Sequence, residues 1–105
     1  MTTCIIEYRI DPYKHAEFER YAHNWATAIP RCGAELLGYF LAEEGTRSRA
    51  FGIYSIADLA AYEAYRKQLK DDPVGKENFE FAQRDRFILS EERAFYRAIG
   101  GSASA

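Results

Sequence analysis

The chain predicts an α+β fold of order β-α-β-β-α-β, a four-stranded antiparallel sheet with both helices on one face. Three observations carry this. Residues 4–10, CIIEYRI, are rich in β-branched and aromatic residues. The apolar period then lengthens from two to about 3.6 over Lys14–Cys32. The same change recurs after two short apolar runs, LLGYF and AFGIY.

CIIEYRI reads as the first strand. Asp11-Pro12 ends it, because Pro12 cannot donate to a ladder and opens a turn. Phe18, Ala22, Trp25 and Ile29 then recur at i, i+4, i+7 and i+11, with Tyr21 and Cys32 beside them, which defines an amphipathic helix. Pro30 falls in its last turn and Gly33 follows, so the helix should finish within Ala28–Gly33. Glu35–Ala42 and Arg49–Ser55 read as the second and third strands, joined across EEGTRS by a turn longer than two residues. Ser55 is the expected N-cap of the second helix, with Asp58 at capping-box spacing. Leu59, Tyr62, Arg66 and Leu69 line one face of that helix, with Tyr65 at its edge. Asp72-Pro73 stops it, since a residue before proline resists the α region. Val74–Arg84, carrying Phe79 and Phe81, reads equally as another helix or an irregular excursion. RFILSEERAFYRAI (86–99) reads as a long last strand. Residues 1–99 are thus expected to form one ferredoxin-like domain, and GGSASA (100–105) a disordered tail.

Composition narrows the function classes. With 105 residues, the chain fits one domain and buries only about two thirds of its unfolded surface, so it gains from a partner. A formal net charge of −2 argues against nucleic acid, which wants a basic stripe. No apolar run approaches the roughly 20 residues of a membrane helix, and MTTCIIEYRI lacks the pattern of a secretory signal. Cys4 and Cys32 have neither metal nor redox spacing and are expected to be reduced thiols in a cytoplasmic protein. His15 and His23 are eight residues apart, which is not the i, i+4 pairing of a helical metal site. No phosphate loop or nucleophile elbow is present. Neither metal nor cofactor is expected.

The hairpin is apolar on both faces. Simple alternation sends Leu36, Gly38 and Phe40 one way and Leu37, Tyr39 and Leu41 the other. On the third strand Phe51 and Ile53 oppose Ala50, Gly52 and Tyr54; on the first, Cys4, Ile6 and Tyr8 oppose Ile5, Glu7 and Arg9. Helices cover one face only. Leu37, Tyr39 and Leu41 would leave an apolar patch rarely tolerated by a monomer, so a second copy is expected to pack on it about a two-fold axis. Glu7, Arg9, Glu91 and Arg93 read as rim charges of that face first, and otherwise as ion pairs across the interface or a solvated part of the face.

The stretches YRIDPYKHAEF (8–18), LLGYF (36–40), YSIADLAAY (54–62) and QLKDDPVGKENF (68–79) resemble, in order and spacing, those of the NIPSNAP family, a branch of the dimeric α/β-barrel superfamily. The chain departs from that pattern at Cys4 and Ile6, where relatives tend to carry Glu and Arg, and at Tyr13 and Phe51. The resemblance implies a homodimer whose sheets pack face to face, with a cavity between each sheet and its own helices. In related branches that cavity holds small aromatic substrates or haem and can support cofactor-independent oxygenation.

Seven side chains are candidates for lining such a cavity: Tyr8, Tyr21, Trp25, Phe40, Tyr54, Tyr62 and Arg66. Arg66 stands out among Leu59, Tyr62 and Leu69, because a charge on an inward face needs a partner. It reads either as an anchor for a ligand carboxylate or enolate, or as a snorkelling or salt-bridged side chain. Two functions of different class follow. One is a homodimeric small-molecule-binding or structural module of unestablished activity. The other is a cofactor-independent oxygenase or related enzyme acting on a small aromatic or β-keto substrate.

Overall fold

The structure, a computed structural model, describes residues 1–101. The elements run β1 (Thr2–Ile10), α1 (His15–Arg31), β2 (Glu35–Leu41), β3 (Arg49–Ile56), α2 (Leu59–Asp71), α3 (Pro73–Asp85) and β4 (Ile88–Tyr96). All pairings are antiparallel and the sheet order is β2-β3-β1-β4, the ferredoxin-like arrangement. The last four residues of the expected tail lie outside the described residues.

Three helices, not two, cover the sheet. Val74–Arg84 is helical because Asp72 starts a new helix where the previous one stops. Its amide closes α2 onto the Gln68 carbonyl, and its carboxylate accepts from the Val74 and Gly75 amides with Pro73 at the first helical position. Arg31, at the end of α1, clamps the same carboxylate with two bonds of 2.8 Å. The end of α1 follows expectation. The Ala34 amide bonds the Ile29 carbonyl and the Gly33 amide the Pro30 carbonyl, with Gly33 at φ +102°, a Schellman motif.

Two expectations for α2 change. Its cap is Asp58, whose Oδ1 accepts from the Ala61 amide at 2.8 Å, while Ser55 stays in β3. The β1–β3 ladder runs on to Ile56, so pairing holds Ser55 extended. The buried stripe is Tyr62, Tyr65 and Leu69; Leu59 is exposed and Arg66 stands at the edge.

The core lies between the sheet and the helices. Cys4, Ile6, Tyr8 and Ile10 of β1 meet Phe18, Tyr21 and Trp25 of α1, Phe81 of α3 and Phe87. Asn78 is the fully buried polar side chain there. It donates to the Tyr21 carbonyl and accepts from Asn24, both at 2.9 Å, tying α3 to α1.

A bulge in β2 corrects the expected faces of the hairpin. Leu36 pairs with Tyr54 but Gly38 pairs with Ile53, leaving Leu37 unmatched. Beyond it the alternation is inverted. Tyr39 and Leu41 turn beneath the helices, opposite Gly52 and Ala50, while Phe40 faces outward opposite Phe51. Gly52 makes room for this: a Cβ there would lie 2.7 Å from the Tyr39 ring. The open face therefore carries Ile5, Phe40, Phe51 and Ile53, with Glu7 paired to Arg49 at 3.0 Å. On β4, Glu91 and Arg93 stand opposite Tyr8 and Ile6. They point to the helix side, not to the rim of the open face.

Candidate functional site

Between the helix face of the sheet and α1, α2 and α3 lies a cavity of about 180 Å³. Alternation along β1 brings Ile6 and Tyr8 to its floor, β3 adds Tyr54, and β4 adds Glu91 and Arg93. Helix α1 contributes Tyr21, Trp25 and Ile29 at helical spacing; α2 contributes Tyr62, Tyr65, Arg66, Leu69 and Lys70; Phe79 comes from α3. Six of the seven sequence candidates meet here: Tyr8, Tyr21, Trp25, Tyr54, Tyr62 and Arg66. Phe40 does not. The β2 bulge turns it to the open face opposite Phe51, where at the sheet edge it also borders a separate hollow of about 290 Å³ lined by α1 and β2.

Tyr39 and Arg93 belong to the wall, and sequence reasoning assigned both to the other face. Tyr39 carried no usable signal beyond Gly38, since a bulge is decided by pairing across the sheet. For Arg93 the parity of Phe95 on the same strand was the available clue.

Aromatic rings brace one another around the cavity. Tyr21 meets Trp25 edge-on at 5.7 Å between centroids, Tyr54 lies 5.2 Å from Tyr65, and Phe95 meets Tyr62 edge-on at 4.7 Å. The hydroxyls of Tyr8 and Tyr39 lie 3.4 Å apart. Burial raises the pKa of Tyr8, Tyr39, Tyr54 and Tyr65 and pushes that of Tyr21 up to about 12. These phenols therefore stay protonated at neutral pH, able to donate and accept hydrogen bonds but not to serve as bases.

Arg93 brings a charge to the wall from the edge strand β4. Its Nη1 donates to the Tyr62 hydroxyl at 3.5 Å and its Nη2 lies 3.5 Å from Glu91. Burial works against its charge, but the Tyr62 and Tyr54 hydroxyls and the Glu91 carboxylate outweigh that and raise its pKa. Arg66 lies over the Tyr62 ring, 5.7 Å from its centroid. Neutral phenols and a fixed guanidinium suit an anionic or enolate oxygen, with an apolar body against the rings. Glu91 is the one carboxylate among the described lining residues.

Elsewhere the chemistry is sparse. His23 is exposed, and the His15 ring bonds the Arg47 carbonyl. Cys4 and Cys32 are free and buried, and burial raises both thiols. Among the described residues no group of three or more His, Cys, Asp or Glu is placed to hold a metal, and no helix is long and apolar enough to cross a membrane.

Solved structures share this fold across nearly the whole chain. Protein Atu4242 from Agrobacterium tumefaciens is similar with a TM-score of 0.81 and 19% identity, covering 94% of each chain. An uncharacterized NIPSNAP domain protein from Burkholderia xenovorans is similar at 0.72 and 22%, covering 97% of this chain and 96% of that one. SnoaB, a cofactor-independent oxygenase from Streptomyces nogalater, is similar at 0.64 and 17%, covering 96% and 95%. At these identities the likeness is one of fold. No curated protein matches the sequence. The family model described as NIPSNAP matches residues 3–103, taking in every strand and helix that builds the cavity, and the chain belongs to the NIPSNAP family.

Proposed function

We propose that this protein is a homodimeric, cytoplasmic small-molecule-binding module whose ligand is a compact ring carrying an acidic group. The observation that carries the reading is the cavity itself, where Arg93 stands among protonated tyrosines. Size sets the ligand class. A dry cavity of about 150 Å³ holds a benzene ring, so about 180 Å³ suits one ring with a small substituent, and anything larger must project through the mouth. It falls below the roughly 300 Å³ usual for drug-sized ligands. The acid meets Arg93, the ring lies against Trp25 and the tyrosines, and the phenols supply the remaining hydrogen bonds. The open sheet face supports the dimer: Phe40 is about half exposed beside Phe51 and Ile53, with the Glu7–Arg49 pair among them.

Trp25 is the single tryptophan of the chain and forms part of the wall, so its fluorescence reports occupancy directly. Titration with benzoate or phenylacetate should change Trp25 emission and raise the melting temperature. Arg93→Met should weaken binding by about tenfold or more, the loss of one charged hydrogen-bonded contact. Unchanged emission with every monocyclic acid, or equal affinity in Arg93→Met, would overturn the reading.

A second reading is favoured by Glu91, which lies beside Arg93 at the cavity. In a cofactor-independent oxygenase, Glu91 would take a proton from an activated CH2 of an aromatic or β-keto substrate, and Arg93 with the phenols would hold the enolate oxygen. Dioxygen from solution would then convert the CH2 to C=O, its second atom leaving as water. The shared fold with SnoaB supports this reading. Oxygen uptake with a cyclic β-diketone, abolished by Glu91→Gln, would establish it; no uptake sets it aside.

A further inference from the structure

The cavity wall holds three cations, Arg66, Lys70 and Arg93, against the one carboxylate Glu91, a net charge of +2. Arg93 already has Glu91 at 3.5 Å. Arg66 and Lys70 have no acidic partner among the described residues. They stand one helical turn apart on α2, so their side chains share a face. Both guanidinium groups neighbour Tyr62. Arg66 is over its ring face at 5.7 Å, and Arg93 reaches its hydroxyl at 3.5 Å.

From this geometry we infer that the ligand carries two anionic groups, one at each end of a single ring. This rests on the cavity-binding reading above and deepens it. One anion meets Arg93 on β4; the second, outer to the sheet, meets Arg66 and Lys70 on α2. A ring lying alongside Tyr62 has Arg93 near the hydroxyl end of that tyrosine and Arg66 on its ring-face side. A monoacid would satisfy Arg93 and leave the two α2 cations facing solvent. A para-substituted diacid satisfies both ends, and its charge of −2 cancels that of the wall. The outer group's chemistry is common to carboxylate and phosphate, since an arginine and a lysine serve either.

The test uses Trp25 emission and the full chain. Terephthalate and 4-carbamoylbenzoate have nearly the same shape and differ by one charge; 4-carboxyphenyl phosphate tests the alternative outer anion. At low salt terephthalate should bind about tenfold more tightly than its monoamide, the contribution of one charge-assisted contact, and the ratio should shrink as salt rises. In the Arg66→Gln, Lys70→Gln double variant the ratio should fall toward one. Both positions are at the surface, so folding is not at stake. A tighter fit for the phosphate names the outer group as phosphate. If the wild type binds terephthalate and monoamide equally, the two-anion inference is overturned while the cavity reading stands. If no ring compound alters Trp25 emission, both fall together.

Discussion

Asn78 shows how much one side chain can decide. It has no exposed surface, yet both ends of its amide are satisfied, by the Tyr21 carbonyl and by Asn24. Removing it strands polar groups in the core beneath a wall of the cavity. Asn78→Ala should lower unfolding free energy by about 1–3 kcal/mol, measured from urea midpoints. Asn78→Asp makes a sharper test. A buried carboxylate would face the Tyr21 carbonyl, so the variant should be worse at neutral pH and recover on acidification, when a protonated carboxyl can donate. Stability indifferent to pH would refute the proposed bond to Tyr21. Gly75 is similarly constrained: a Cβ would lie 2.4 Å from the Leu69 carbonyl oxygen, which is backbone and cannot swing aside. Gly75→Ala should therefore cost more than the helix propensity of alanine returns, about 1 kcal/mol, and lower the melting temperature.

At the scale of elements the junction of α2 and α3 governs the helix layer. Asp72 ends one helix, starts the next and receives Arg31 from a third. The Arg31 bonds, followed by the Gly75 amide, hold its carboxyl below the ordinary range. The native state thus binds fewer protons there than the unfolded chain. The contribution to stability is complete above the ordinary carboxylate pKa of about 4 and is lost as pH falls through the lowered native value. Asp72→Asn keeps the capping oxygen but loses the ion pair. It should be less stable than wild type near neutral pH, with the difference closing in acid; parallel stability profiles would contradict the assignment.

For the whole molecule two properties emerge that no single element has. Five tyrosines, Tyr8, Tyr21, Tyr39, Tyr54 and Tyr65, have raised pKa values because the assembled sheet and helices bury them together. A native phenol with a raised pKa retains its proton when the unfolded one has lost it, so stability falls as pH rises above about 10. Phenolate absorbance should therefore appear in step with loss of circular dichroism, and free titration of all tyrosines before unfolding would refute the burial. The second property is the open sheet face. Sedimentation should report twice the chain mass, and Phe51→Asp should halve it or unfold the protein. A wild-type monomer would overturn the dimer proposal.

Much of this was legible in the chain because it is local. Periodicity placed α1, Gly33 and Pro30 marked its end, Asp72-Pro73 marked the break in the helix layer, and the element order implied the ferredoxin-like sheet. Six of seven proposed lining residues, from Tyr8 to Arg66, share one wall because alternation and helical spacing carry their direction. What alternation could not supply was the β2 bulge. One unmatched residue at Leu37 exchanges Tyr39 and Leu41 with Phe40 between core and surface, and that choice is made by the pairing of β2 with β3 and by the space over Gly52. Arg93 likewise acquires its place from the register of β4 on β1. The sequence by itself determined the four strands and the first two helices, since short-range sterics and apolar spacing suffice for those. Val74–Arg84 stays open between helix and excursion until Asp72 caps it. Only the tertiary structure decided which face Tyr39, Phe40 and Arg93 serve, because register is a property of two strands at once, and with it which strand cation joins the cavity wall.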